Sequence, residues 1–267
     1  MSSIVTERGV LHYQTIGQGK PFILLHGWIN SWNVWRDSMM RIADEGNYKV
    51  YALDFWGFGE SSRRTGDDQE YSIASFVDMV YQLMENLGIP SAPIAGHSMG
   101  GTVALLFALT HPQKSERVIV IGSPIRGSTM HPMLKLAGFG WIASFVWRFP
   151  VFRTLIMHLI LAGDSESVRK MIFRDIERAS LNSFFRSIED LRRTDLRDRL
   201  SQLELPTLGI YGVNDNIVSP SNAILLSEGA KTAKITMFKK SRHFPMADQP
   251  AEFASTIGRF LTYDNPN

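Results

Sequence analysis

A chain of 267 residues is long enough to bury a large core, and it suits one sizeable domain or a domain carrying an insertion. Its 28 basic and 26 acidic residues nearly cancel, leaving a formal net charge of +2, which argues against nucleic acid or an anionic membrane as the main partner. The count of cysteines is zero, which excludes disulfides, thiolate nucleophiles and thiolate metal sites.

The opening residues show no basic segment followed by an apolar one, and no run of about eighteen apolar residues occurs further on. A soluble, cytoplasmic protein without integral membrane association is expected. The stretch "VLHYQTIGQGKPFILLHGW" reads as a strand, a glycine-rich turn and a short buried strand, Pro21 to Leu25. In "YKVYALDFWGFGESS" a second buried strand ends at Asp54 and runs into a loop rich in Gly and Ser. Ile73, Phe76, Val77, Val80, Leu83, Met84 and Leu87 then recur at helical spacing, with Gly88 placed to cap the helix.

In "PIAGHSMGGTVALLFAL" an apolar strand turns into a largely apolar helix through G-x-S-x-G, with Ser98 at the apex. "RVIVIGSP", "PTLGIYGV" and "AKITMFKK" supply three more short strands, and the final "AEFASTIGRFL" is an amphipathic helix. Short β-branched runs alternating with helices predict a mainly parallel sheet covered on both faces. One interval breaks the alternation. From Ile125 to about Leu203 the pattern is helical, rich in Met130, Met133, Phe139, Trp141, Phe145 and Trp147, then basic in "RRTDLRDRL". The expected organisation is therefore a core domain of residues 1–124 and 204–267, with a helical cap over residues 125–203.

In an open parallel sheet, ligands bind beyond the carboxyl ends of the strands. His26-Gly27-Trp28, Ser98, Asp215 and His243 all fall at such ends. A serine hydroxyl needs a base to take its proton, and an imidazole base needs a carboxylate to fix its tautomer. Ser98, Asp215 and His243 supply that set in the chain order of elbow-type hydrolases. "NDN" around Asp215 is also ordinary turn chemistry, and a loop histidine can simply bond a carbonyl. Asp54 is a rival carboxylate, better suited to binding backbone amides of its glycine loop. The backbone N–H groups of Met99 and Trp28 are the candidate donors to a developing oxyanion. His97 and His26 read as packing and loop-bracing residues, and His12, His111, His131 and His158 show no partner pattern. There is no metal-ligand cluster and no phosphate or dinucleotide fingerprint, so no cofactor is expected.

These stretches together resemble the α/β-hydrolase superfamily over nearly the whole chain, from "FILLHGW" through "AGHSMGGTVAL" and "YGVNDNIVSP" to "SRHFPMADQP". The resemblance implies an eight-stranded, mostly parallel sheet flanked by helices, with a helical cap between strands six and seven. It also implies Ser98, Asp215 and His243 as a catalytic triad, and Trp28 and Met99 as the oxyanion pair. Relatives that open epoxides or displace halide carry aspartate at the elbow, and polyester synthases carry cysteine. Proline iminopeptidase relatives usually place tryptophan where this chain has Met99. Ester hydrolysis, carbon–carbon bond hydrolysis and perhydrolysis remain. Carbon–carbon hydrolases usually carry a glycine- and proline-rich loop that "HGWINSWNVW" lacks, which favours a carboxylesterase acting on small to medium apolar esters, with Trp141, Phe145 and Trp147 offering apolar surface. Carbon–carbon bond hydrolysis, cofactor-free perhydrolysis and a slow-turnover ligand receptor are the alternatives.

Overall fold

The structure, a computed structural model, describes residues 2–6, 8–62, 71–132, 154, 158, 161 and 163–263. Its strands are β1 (Ser2–Thr6), β2 (Gly9–Ile16), β3 (Lys20–Leu25), β4 (Tyr48–Leu53), β5 (Ala92–His97), β6 (Ser115–Ile121), β7 (Thr207–Gly212) and β8 (Ala233–Phe238). They form one eight-stranded sheet of order β1-β2-β4-β3-β5-β6-β7-β8. The pairs β1–β2 and β2–β4 are antiparallel, and every pair from β4–β3 to β7–β8 is parallel. Phe22–Leu25, Ala92–His97 and Val118–Ile121 are buried along their whole length, because helices cover the sheet there.

The helices are α1 (Arg36–Gly46), α2 (Ile73–Asn86), α3 (Met99–Thr110), α4 (Glu166–Arg178), α5 (Leu181–Arg193), α6 (Asn222–Gly229) and α7 (Pro250–Tyr263), and a single turn, Pro245–Asp248, precedes α7. Helix α1 packs on α7, and α2 packs on α3. The Ser72 hydroxyl caps α2 by accepting from the Ser75 N–H. Gly88 ends that helix at φ 63°, where its N–H reaches the Glu85 carbonyl and the Ile89 N–H reaches Met84. Helix α3 is buried around most of its circumference, consistent with an all-round apolar sequence between sheet and α2. No described helix is long and apolar enough to cross a membrane.

Between β6 and β7 the described residues contain α4 and α5, and no strand longer than an isolated bridge. Both helices are tied to the sheet-bearing part of the chain by polar contacts. The Asp190 carboxylate accepts from the Ile73 N–H at 2.7 Å, at the exposed amide end of α2. The Ser183 hydroxyl donates to the Gly57 carbonyl at 2.9 Å, and Arg178 pairs with Glu60 at 2.6 Å. The Ser31 hydroxyl donates to Asp175 of α4 at 2.9 Å.

Candidate active site

Register aligns the carboxyl ends of the central strands: Leu25 pairs with Gly96, Gly96 with Val120, Ile121 with Ile210, and Gly212 with Phe238. The loops that leave those ends therefore converge on one edge of the sheet.

Ser98 stands between β5 and α3 at φ 51° and ψ −119°, a conformation that side-chained residues rarely adopt. Backbone hydrogen bonds hold it there. Its N–H donates to the Ile121 carbonyl at 2.8 Å, and its carbonyl accepts from Gly101 and Thr102 at 3.0 and 3.3 Å. A Cβ on Gly96 would collide with the Gly100 backbone, and one on Gly100 with the carbonyls of Leu25 and His26. One on Gly101 would strike the Ser123 hydroxyl. The glycine spacing is thus a packing requirement of a strand that reverses directly into a helix.

Asp215 lies just past β7, and its Oδ1 accepts from the N–H groups of Ile217 and Val218 at 2.8 and 2.9 Å. Its Oδ2 is 2.8 Å from Nδ1 of His243, which lies past β8. Both residues are buried. An ionised carboxylate only accepts, so Nδ1 of His243 is the donor, and Nε2 is left as the basic nitrogen.

His97 does more than pack. Its Nε2 lies 2.8 Å from the His243 carbonyl oxygen, and its ring centroid is 4.7 Å from that of His243. Burial, reinforced by the neighbouring His243, pushes its pKa well below the ordinary imidazole value. A neutral ring with the proton on Nε2 donates to that carbonyl and steadies the His243 loop. Nothing in the sequence beyond adjacency to Ser98 signals this role.

His26 braces its loop: Nδ1 bonds the Gly27 carbonyl at 2.7 Å and Nε2 accepts from the Phe55 N–H at 2.9 Å. Asp54 spends its carboxylate locally, accepting from the N–H groups of Trp32 at 2.7 Å and Glu60 at 3.0 Å. It also bonds His12 Nδ1 at 2.8 Å, a pairing for which the sequence gives no pattern.

Met99 is the first residue of α3, where the N–H has no intrahelical acceptor. The Trp28 N–H donates no hydrogen bond among the described residues. The Trp28 indole donates to the Phe184 carbonyl of α5 at 2.8 Å and packs on the Phe184 ring at 4.4 Å between centroids.

Ser98 and His243 line one cavity. Trp28, Ile29, Asn30 and Phe244 lie around them, with Met130, Ile217 and Val218 alongside. Leu161, Ile172 of α4, and Ile188 and Leu191 of α5 also line it. Trp141, Phe145 and Trp147 lie outside the described residues. The aliphatic residues of α4 and α5 were not singled out in the sequence, although Phe184, Ile188 and Leu191 share one helical face by spacing. No group of His, Asp and Glu suited to hold a metal ion occurs among the described residues.

Asp164, its side chain fully buried, lies 3.5 Å from Nε of Arg242, the residue before His243. Burial, only partly offset by Arg242 and His243 and reinforced by Asp248 and Asp215, pushes its carboxyl up to about 6 from an ordinary 3.8. The folded state then binds the proton more tightly than the unfolded one. Stability from this group is present at low pH and is lost as pH rises through the folded value. Asp164→Asn mimics the protonated acid, so its melting temperature should gain on wild type between about pH 4 and about pH 8. A melting-temperature difference that stays constant over that range would remove Asp164 as the cause.

The chain matches the family model of the alpha/beta hydrolase fold over residues 20–155. It is 27% identical over 256 residues to a pimeloyl-[acyl-carrier protein] methyl ester esterase of Aeromonas hydrophila, spanning 93% of this chain and 98% of that protein. It is also 27% identical over 259 residues to a 2-hydroxymuconate semialdehyde hydrolase of a Pseudomonas species, spanning 92% of this chain and 88% of that one. Among solved structures, the enol-lactonase from Burkholderia xenovorans superposes with a TM-score of 0.85 at 21% identity, covering 98% of this chain and 100% of that chain. A sheet of eight strands with the elbow at Ser98, matched by a family model across half the sequence, makes the chain a member of the alpha/beta-hydrolase superfamily.

Proposed function

We propose that the protein is a serine hydrolase that cleaves carboxylic esters of small to medium apolar substrates through an acyl-enzyme. The observation that carries this reading is the buried Asp215–His243 pair, 2.8 Å apart, whose histidine lines one mainly apolar cavity together with Ser98. His243 Nε2 takes the Ser98 proton as Oγ attacks the ester carbonyl, and the imidazolium that forms is stabilised by Asp215. The N–H groups of Trp28 and Met99 receive the oxyanion. His243 then returns the proton to the departing alcohol. Water, activated by the same base, adds to the acyl-enzyme and releases the acid.

Residues 125–203 act as a cap in this reading, with Ile172, Ile188 and Leu191 setting the space left for the acyl or alkyl chain. The names of relatives such as the methyl ester esterase support ester chemistry. The semialdehyde hydrolase supports carbon–carbon bond hydrolysis as the second reading. The separating experiment is a panel of p-nitrophenyl esters of graded acyl length run beside a set of vinylogous diketones. Each methylene that enters an apolar pocket gains about 0.8 kcal/mol, so kcat/KM should climb over several carbons and then fall once the pocket is full. Ile188→Ala and Leu191→Ala should move that optimum to longer chains. Faster turnover of the diketones than of every ester would replace the ester reading with the carbon–carbon one.

A further inference from the structure

Among the described residues the cavity walls around Ser98 are aliphatic or aromatic except at a few positions, and the proposed ester chemistry leaves Asn30 without a task. Asn30 is only 2% exposed. Its backbone N–H bonds the Gly27 carbonyl at 3.2 Å, so the loop itself is satisfied without the side chain. The carboxamide makes no hydrogen bond among the described residues, and Nδ2 is buried with no partner. The amide and the nucleophile border the same spot beside Gly27. The point where a Cβ on Gly27 would stand is 2.8 Å from His97 Nδ1, 3.1 Å from Asn30 Oδ1 and 3.2 Å from Ser98 Cβ.

A buried amide without a partner costs stability that leucine, of similar size, would not. Packing is therefore a poor explanation for asparagine at this wall. A half-turn about χ2 exchanges oxygen and nitrogen, so the group can offer the cavity either an acceptor or a donor. A hydroxyl or a carbonyl oxygen on the ligand completes it. Asn30 borders the same spot as Ser98 Cβ, so that oxygen lies at the Ser98 end of the cavity rather than at the far end of a chain.

We propose that Asn30 is a specificity-determining residue that hydrogen-bonds an oxygen on the carbon next to the scissile carbonyl, making 2-hydroxyacyl or 2-oxoacyl esters the preferred substrates. The assignment rests on the ester-hydrolase reading of the site for its turnover test, and a binding test frees it from that dependence.

In the turnover test, phenyl butanoate, phenyl 2-hydroxybutanoate and phenyl 2-oxobutanoate are compared on wild type, Asn30→Leu and Asn30→Ala. The readout is the ratio of kcat/KM for each substituted ester to that for the plain one. Intrinsic ester reactivity cancels when this ratio is compared between proteins. Loss of one hydrogen bond in a buried site should lower the ratio by about tenfold to a hundredfold. Asn30→Ala keeps the test open if Asn30→Leu does not fold. An unchanged ratio in the folded variants overturns the proposal.

In the binding test, methyl 2-hydroxybutanoate and methyl butanoate are titrated calorimetrically into Ser98→Ala protein, with and without Asn30→Leu. The hydroxy ester should bind about tenfold tighter, and Asn30→Leu should abolish the difference. That preference in a protein whose wild type cleaves no ester would uphold Asn30 and overturn the ester-hydrolase reading alone. Equal binding of the two esters by a protein that does cleave esters would overturn Asn30 alone.

Discussion

Ser98→Ala is expected to lower kcat on the best ester substrate by about a millionfold, the loss seen when a triad nucleophile is removed from other serine hydrolases. The substitution deletes one oxygen and leaves the turn intact. The apex conformation is held by the Ile121 carbonyl on one side and the Gly101 and Thr102 N–H groups on the other, all backbone contacts. Alanine at φ 51° is no more strained than serine, so thermal stability should change by less than about 0.5 kcal/mol. Loss of covalent labelling by a fluorophosphonate should accompany loss of turnover. The proposed oxyanion donors and the cavity survive, so a residual rate of about 10³ to 10⁴ over water is expected. A folded variant that keeps a tenth of wild-type activity would mean that the nucleophile is another residue.

The features easiest to read from the sequence are those whose causes are local. The glycines of the elbow are demanded by atoms a few residues away, as Gly96 against Gly100 shows, so a short pattern carries the turn. Buried strands such as Phe22–Leu25 are short apolar runs, and Gly88 follows a helical face. By contrast, β1 (Ser2–Thr6) is a half-exposed edge strand of mixed polarity and has no comparable signature. Contacts between distant segments were also hidden. His12 meets Asp54 because Tyr13 of β2 pairs with Leu53 of β4, a register that no local pattern reveals. The Trp28 indole reaches a carbonyl 156 residues away in α5, and Ser31 reaches Asp175 in α4. Residue type alone said nothing of Asn30, which stands out only once it is seen lining a mainly apolar cavity with an amide that has no partner among the described residues.

Asp215→Asn is expected to lower kcat by about four orders of magnitude while leaving the fold in place. The reason lies in which way the new amide must face. Oδ1 of Asp215 accepts two backbone N–H groups, from Ile217 and Val218, and only an oxygen can serve both. An asparagine therefore keeps its carbonyl oxygen there and turns its NH₂ toward His243 Nδ1. A ring nitrogen facing a donor must be the unprotonated one, so the imidazole proton moves to Nε2. That nitrogen can then no longer accept the Ser98 proton, and the imidazolium would lose its counter-charge. Two preserved backbone hydrogen bonds should hold the loop, so the melting temperature should stay close to wild type while turnover collapses. Asp54→Asn is the informative control. Asp54 bonds the N–H groups of Trp32 and Glu60 and the ring of His12, so its substitution should cost stability more than chemistry. A stable, inactive Asp54→Asn beside a fully active Asp215→Asn would move the carboxylate of the triad to Asp54.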